Sequence, residues 1–257
     1  MRRKRVSRIG LAMASLVIFL ALWQGVVWVG GYPAFIMPPP VAVAERLWGL
    51  LADGALWHHT WVTLREVLIG LGLGAVVAVL LGYGLAHFPL AERLLSPYVV
   101  ASQSIPVVAV APLLVIWFGT GMLSKVVVCA LTVFFPILVN TVVGVRSVER
   151  GLHDLMRALE ATRWQTVWLL EVPAALPVLL GGLKVGATLA VIGAVVGEFV
   201  ASSEGLGYLL KQGQQLYDTP LIFVGIGALM VLAQTLYGIV ALAERILLRW
   251  RVEGRKE

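Results

Sequence analysis

The sequence predicts an all-α protein that crosses a membrane with about six helices packed in one bundle. Hydrophobic residues make up 60% of the 257-residue chain and charged residues only 13%, whereas a soluble domain has about 25% charged residues. The apolar residues form long runs, and a helix needs roughly 20 of them to cross a hydrocarbon core of about 30 Å. Lys and Arg are concentrated at the ends of these runs, as orientation signals are. The net charge of +6 is therefore not interpreted as a nucleic-acid-binding surface.

The apolar runs define the predicted spans one by one. The first is longer than the apolar region of a cleaved signal peptide, so we expect it to be retained. The third is expected to be interrupted at Pro106 and Pro112, because proline lacks the amide hydrogen that a helix interior needs. Residues 41–51 predict either a short helix outside the membrane or a plain connector. The predicted spans are 9–30, 64–88, 97–118, 124–143, 174–200 and 220–248.

The distribution of Lys and Arg predicts the orientation of the spans. If the N-terminus is cytoplasmic, nearly all basic residues lie on the cytoplasmic side. The basic residues on the outer side are then Arg46, Arg65, Lys125 and Lys211. Residues 1–8 and 249–257 become cytoplasmic tails of a transmembrane domain over 9–248, and the loop 146–173 between spans four and five is also cytoplasmic.

This loop contains a short amphipathic helix. Charged residues recur every third position, and apolar residues occupy the opposite face of the helix. The charged residues are Asp154, Arg157, Glu160 and Arg163, and the apolar ones include Leu152, Leu155, Met156 and Leu159. Pro173 is expected to end the helical pattern. An amphipathic helix between two spans predicts contact with a cytoplasmic partner.

Small residues form stripes in spans two and five. They are Gly70, Gly74, Ala78, Gly82 and Ala86 in one span, and Gly182, Gly186, Ala190, Gly193 and Gly197 in the other. Such stripes allow helix backbones to approach closely in lipid. We interpret them as packing surfaces in preference to the alternative, a substrate path.

A few polar residues in the spans are candidates for a translocation path. Glu198 lies toward the outer end of span five among apolar residues, where an ionisable group is costly. It is expected to gate the path, to pair with a neighbouring helix, or to reach the outer interface. Gln103 and Ser104 precede Pro106, where a kinked and partly polar helix suits a path lining, or else a kink stabilised by neighbouring helices.

Motifs for nucleotide binding and catalysis are absent from the sequence. It has no phosphate-binding loop, no zinc-protease or serine-hydrolase motif and no Cys–His cluster, so neither a catalytic residue nor a metal ligand is predicted. A membrane-bound enzyme needs paired catalytic groups at one depth, and the spans offer Glu198 and little else. An ion-coupled secondary transporter needs charged coupling groups near mid-membrane and internal repeats, and neither is evident. A secondary transporter and a membrane-bound enzyme are nevertheless kept as alternatives to a transporter that receives its energy through a protein contact.

The cytoplasmic loop resembles the coupling-loop signature of bacterial ABC importer permeases: Glu-Ala-Ala, three residues, Gly, nine residues, then Ile-x-Leu-Pro. Asp154, Leu155 and Met156 occupy the Glu-Ala-Ala positions, and residues 170–173 occupy the last four. Glu160 occupies the Gly position, which is a departure from the signature. With Glu in place of Gly, the helix is expected to continue further than in the family.

Three further segments are similar to the nitrate/sulfonate/taurine branch of these permeases. They are the run 193–208, Ile105 with Pro106, and residues 111–119, which contain Ala-Pro-Leu and Trp-Phe-Gly. The resemblance covers nearly the whole chain and implies the permease fold of a type I ABC importer.

The resemblance also implies partners and a solute. It implies a second copy of the chain, two cytoplasmic ATPase subunits that bind ATP and Mg²⁺, and an external or periplasmic substrate-binding protein. Membrane lipid surrounds the chain, and no cofactor or nucleic acid is expected. The implied solute is nitrate, taurine or an alkanesulfonate, with a thiamine pyrimidine precursor or riboflavin as the alternative. The implied ATPase-coupling residues are Asp154, Leu155, Met156, Arg157, Ala158, Leu159, Glu160, Val172 and Pro173, and the candidate path or gate residues are Gln103, Ser104, Pro106, Pro112 and Glu198.

Overall fold

The computed structural model describes residues 8–249, and within that range helices follow one another with short connections. The helices are α1 (Arg8–Gly30), α2 (Pro40–Ala52), α3 (Ala55–His87), α4 (Pro89–Gln103), α5 (Val107–Phe118), α6 (Met122–Arg146), α7 (Arg150–Ala158), α8 (Arg163–Thr166), a π-helical turn (Val167–Glu171), α9 (Val172–Ala201), α10 (Leu206–Gln215) and α11 (Thr219–Leu247). The expected tails lie almost entirely outside the described residues.

Four predicted spans are confirmed as single long helices. They are 9–30, 64–88, 124–143 and 220–248, which correspond to α1, α3, α6 and α11, although α3 begins at Ala55, before the predicted start at residue 64. The expected helix over 41–51 is also present, as α2. It begins at a proline, which suits the first turn of a helix because the amide groups there have no intrahelical partner. Uninterrupted apolar runs of sufficient length were therefore enough to locate these elements.

The third predicted span is two helices with a sharp bend between them. The axes of α4 and α5 differ by 94°, and the break follows Gln103 and ends at Pro106. The expectation of a second interruption at Pro112 is wrong, because this residue lies inside α5. One missing backbone bond does not end an otherwise apolar helix, whereas Pro106 follows a turn that has already left the helix. α5 alone rises only about 18 Å, so it does not cross the membrane by itself.

The fifth predicted span begins earlier than expected. α8, the π-helical turn and α9 form one helical segment, Arg163–Ala201, so the expectation that Pro173 ends a helix is wrong. In the π-helical turn the amide of Val172 donates to the carbonyl of Val167, five residues earlier. Proline is tolerated here because it stands in the first turn of α9, directly after this wider turn.

The core of the bundle is α6, which lies between α3 and α9. A Cβ built on Gly70 of α3 would lie 2.3 Å from the Cβ of Cys129, and one built on Gly193 of α9 would lie 2.9 Å from the Cα of Cys129. Backbones approach so closely only where side chains are missing. The small-residue stripes are therefore packing surfaces, as preferred above.

The polar elements lie at opposite ends of this bundle. The N-terminal part of α3 and the C-terminal part of α9 lie beside α10, and we call this the α10 end. The C-terminal parts of α3 and α6 lie beside α7 and the π-helical turn, and we call this the α7 end.

Candidate functional site

The predicted amphipathic helix is present as α7, and its apolar face is not covered by the described part of the chain. Leu155 is 53% exposed and Leu159 68%, whereas Met156 is half-buried. Asp154 and Arg157 form an ion pair with an N–O distance of 3.1 Å, but both are exposed, and such pairs add little stability in water. α7 therefore presents an open apolar face flanked by charges.

Glu160 terminates α7 in a left-handed conformation, with a φ angle of 56°. The amide of Ala161 donates to the carbonyl of Met156, and the amide of Glu160 donates to that of Arg157, both at 3.0 Å. This pair of bonds is the Schellman motif, in which glycine usually occupies the left-handed position. The expectation that glutamate lets the helix continue is therefore wrong, because the backbone adopts the glycine-type turn in spite of the Cβ atom. Ala158 is the last residue of α7, and Leu159 lies in the turn.

Val172 and Pro173 do not lie on α7. A four-residue turn of helix, α8, begins after Thr162, whose side chain and that of Gln165 form a reciprocal capping box. The π-helical turn and α9 follow directly. The expected coupling residues are therefore divided between α7 and the first turn of α9.

A buried carboxylate connects these two parts of the loop with α3. Glu171, at the end of the π-helical turn, is only 5% exposed. Its Oε2 accepts from the Tyr83 hydroxyl at 2.8 Å, and its Oε1 lies 3.2 Å from Nε2 of His87 and 3.3 Å from Nε2 of His153. Tyr83 and His87 belong to α3, and His153 belongs to α7. These four residues, the Glu171 cluster, join three elements at the α7 end.

A second buried carboxylate lies at the α10 end. Glu198 of α9 has no exposed surface. It accepts hydrogen bonds from the Thr63 hydroxyl of α3, at 2.6 Å, and from the amide of Gly207 in α10. The expectation that Glu198 reaches the interface is therefore wrong, and pairing with a neighbouring helix is confirmed. Its carboxylate fixes the first turn of α10 against α3 and α9.

An ion pair lies beside Glu198. Lys125 of α6 approaches Glu66 of α3 with an N–O distance of 3.3 Å, and both side chains are almost fully buried. The ammonium group also donates to the Ser202 hydroxyl at 2.8 Å. Breaking a buried pair by removing one partner is costly, because the other charge remains in the interior. We call Thr63, Glu66, Lys125 and Glu198 the Glu198 cluster.

The connection between α9 and α10 makes further polar contacts with α3. Nε2 of His58 lies 2.9 Å from the Glu204 carboxylate, and the amide of Gly205 donates to Nδ1 of His59 at 3.0 Å. The amide of Leu206 donates to the Thr63 hydroxyl. The segment before α10 is therefore held on the N-terminal part of α3 by side chains.

A cavity of about 380 Å³ lies at the bend between α4 and α5, where α6 and α9 form its other walls. Ser102, Gln103 and Thr132 are the polar residues that line it, and the other lining side chains are apolar, including Phe135. Its volume is in the range of small-molecule sites. Thr132 lies about midway along α6, so the cavity is far from both ends of the bundle.

The candidate path residues are not brought together. Gln103 lines the cavity, whereas Ser104 and Pro106 form the adjacent break without lining it. Pro112 is exposed on α5, and Glu198 belongs to the separate cluster at the α10 end.

Sequence reasoning missed several buried polar residues. Glu66 and Lys125 lie within predicted spans, so the statement that the spans offer Glu198 and little else is wrong. Their charge inside apolar runs was the available signal. Glu171 and His153 had no such signal, because they stand in a loop where charged residues are common.

Comparison with known proteins identifies the family to which this architecture corresponds. A family model described as "Binding-protein-dependent transport system inner membrane component" matches residues 70–248. The riboflavin transport system permease protein RibX of Chloroflexus aurantiacus is 50% identical over 236 residues, covering 92% of this chain and 88% of the relative.

Two other relatives bear different substrate names. The formylaminopyrimidine transport permease protein ThiX of Halalkalibacterium halodurans is 37% identical, with 91% of this chain and 93% of the relative covered. The putative aliphatic sulfonates transport permease protein SsuC of Bacillus subtilis is 33% identical, with coverages of 94% and 87%. Among solved structures, a chain of the inward-facing MetNI methionine ABC transporter has a TM-score of 0.66 and 20% identity, covering 76% of this chain and 97% of that chain. This likeness supports the fold alone.

Proposed function

Since the chain belongs to the binding-protein-dependent inner membrane components, the ABC importer permeases of the nitrate/sulfonate/taurine type, we propose that its solute is a neutral nitrogen heterocycle of the riboflavin or aminopyrimidine kind. The chain is a multi-pass permease subunit of the inner membrane that works with ATPase and binding-protein partners.

The residues that line the cavity at the α4–α5 bend favour a neutral solute. Nitrate and sulfonates are anions, and proteins bind such oxygens with Arg, Lys or aligned amide groups. The cavity between α4, α5, α6 and α9 is lined by hydroxyl and amide groups with apolar side chains, and no Arg or Lys lines it in the described chain. Such a surface suits a planar heterocycle that stacks on apolar groups and forms a few hydrogen bonds. The names of the 50% and 37% identical relatives support the same class.

An alkanesulfonate, taurine or nitrate is the second candidate, favoured by the 33% identical relative. Uptake distinguishes the two classes. Cells that depend on external riboflavin and express the intact transporter should accumulate radiolabelled riboflavin, and unlabelled riboflavin or aminopyrimidine should compete while taurine should not. Uptake of radiolabelled taurine or of an alkanesulfonate, without uptake of riboflavin or aminopyrimidine, would contradict the heterocycle proposal.

The open apolar face of α7 is proposed to dock in a groove on the ATPase subunit. Amphipathic helices dock in this way, and buried apolar anchors dominate such contacts. Leu155 and Leu159 are the better anchors, since their side chains are free to enter a partner, whereas Met156 is partly covered by its own chain. Val172 and Pro173 lie in the first turn of α9 and not on α7, so we do not expect them to enter the groove.

A substitution in α7 tests this docking. Leu155→Asp would place a charge in the groove, where desolvation is costly, so the purified permease should lose its ATPase subunit. The membrane-embedded part should be unchanged, because Leu155 projects from the bundle. Leu152→Asp is the comparison variant. Leu152 lies on the same helix and is 41% exposed, but it is not one of the two proposed anchors, so its substitution should affect ATPase retention less. Full ATPase retention and full transport in both Leu155→Asp and Leu159→Asp would refute the assignment.

We further propose that the α7 end is cytoplasmic and that two copies of the chain bind two ATPase subunits. Arg93, Arg146, Arg150 and Arg163 lie at the α7 end, and this excess of positive charge favours the cytoplasmic side. ATP and Mg²⁺ are bound by the ATPase subunits, and the external or periplasmic binding protein delivers the solute to the α10 end.

A further inference from the structure

Few contacts connect α7 to the membrane spans in the described part of the chain. α7 packs only weakly against the other helices. Among the described residues, the contact of His153 with Glu171 is the side-chain hydrogen bond that joins α7 to another element. The Asp154–Arg157 pair is internal to α7. Apart from the chain connections at its two ends, the described part of α7 is therefore joined to the bundle by one side-chain hydrogen bond, that between His153 and Glu171.

We propose that Glu171 is a positioning residue that transmits the displacement of α7 to span α3 when the transporter hydrolyses ATP. This role rests on the proposed docking of the ATPase on α7. The carboxylate does not touch the solute or the nucleotide. It acts by keeping α7 and the C-terminal part of α3 in a fixed relation.

The geometry of the Glu171 cluster suits this role because one carboxylate is bonded from two sides. Tyr83 and His87 bond it from α3, and His153 bonds it from α7. Glu171 is nearly fully buried, so water does not easily replace a lost partner, and an unsatisfied buried acceptor is costly. The carboxylate accepts two bonds from α3 and one from α7, so a displacement of α7 acts on Glu171 through the His153 contact alone.

The π-helical turn provides a second observation. Glu171 is its last residue, and the turn is the only described departure from α-helical geometry between Arg163 and Ala201. A π turn inserts a residue and redirects the side chains that follow it, and such turns are frequent at functional sites. Here the redirected side chain is the one that faces both α3 and α7.

Glu171 accepts two bonds from α3 but only one from α7, and this difference distinguishes transmission from a purely structural role. If Glu171 only stabilises the bundle, changing Tyr83 or His87 should matter more than changing His153, and each loss should appear as lower thermal stability. If it transmits displacement, His153→Gln should reduce the amount of solute transported per ATP hydrolysed, with little effect on stability.

The test uses the complete transporter in proteoliposomes, with riboflavin as the first solute and with Glu171→Gln, His153→Gln and the double variant. Each single variant should retain the ATPase subunit but transport about fivefold less solute per ATP, the change expected from losing one hydrogen bond. The double variant should be no worse than Glu171→Gln, because residues that act through one contact are not additive. Glu92→Gln is the matched control. Glu92 pairs with Arg146 at the same end of the bundle without touching α7. The Glu92→Gln variant should therefore transport as much solute per ATP as the unchanged protein.

An unchanged ratio in both Glu171→Gln and His153→Gln, or additive losses in the double variant, would overturn the proposal. Loss of the ATPase subunit from His153→Gln would also overturn it, since the cluster would then shape the docking surface. Failure of the docking proposal is seen separately, as ATPase retention and full transport in the α7 variants Leu155→Asp and Leu159→Asp.

Discussion

Replacing Glu160 by glycine should stabilise the end of α7. A non-glycine residue in the left-handed region costs roughly 1–2 kcal/mol, and Glu160 occupies this region with φ at 56°. Glycine removes that cost but loses about 0.5–1 kcal/mol through its greater freedom in the unfolded chain. At the middle of both ranges the difference favours glycine by roughly 0.75 kcal/mol, which corresponds to about a two- to fivefold change in an opening equilibrium.

Hydrogen exchange measured by mass spectrometry on a peptide containing residues 156–162 would detect this change. The amides of Glu160 and Ala161 close the turn, so both should exchange about two- to fivefold more slowly in Glu160→Gly. Glu160→Ala is the control, because it removes the same charge but keeps a Cβ atom in the left-handed conformation. Equal slowing in the alanine and glycine variants would refute the backbone explanation and assign the effect to the charge.

Three further predictions concern the topology, the Glu198 cluster and the core. Cysteine at Ser203 should react with an impermeant thiol reagent on intact cells, and cysteine at Ser147 should not; the opposite pattern would invert the orientation. Glu198→Gln should reduce transport while the ATPase subunit is retained, because an amide has one acceptor oxygen where the carboxylate has two; wild-type uptake would leave Glu198 with a packing role only. Gly74→Val should lower the free energy of unfolding of the purified protein by about 1–3 kcal/mol, since its new Cβ would lie 2.7 Å from a backbone carbonyl of α6. Gly72→Val should not lower it in this way, because a Cβ at Gly72 meets nothing within 4 Å.

Local rules located the long helices and the break at Pro106, but they also predicted breaks at Pro112 and Pro173 that are absent. Only Pro106 coincides with a bend, because the turn before it has already left the helix. In the same way, Glu160 was expected to extend α7, since glutamate favours helices. The Schellman bonds of the following turn outweigh that preference.

The buried polar clusters could be predicted only in part. Glu198 was detectable because a charge in an apolar run is unusual, and Glu66 and Lys125 had the same signal. The partners of Glu171 were not detectable, because Tyr83 and His87 are more than eighty positions away in the chain. Contacts between distant residues depend on how α3 and the π-helical turn are packed, and periodicity within one helix does not contain that information.

The close approach of α6 to both α3 and α9 affects how the solute pathway can change its access. Backbones in contact through glycine leave no side chains that could slide or repack, so we expect these three helices to move as one rigid body. We then expect opening and closing at its edges, at the bent pair α4–α5, at α10, and at the more loosely packed α1 and α11. The Glu171 cluster is attached to the edge of this body where α3 ends, so we expect a force that the proposed docking applies to α7 to tilt all three helices together and to change the cavity from outside.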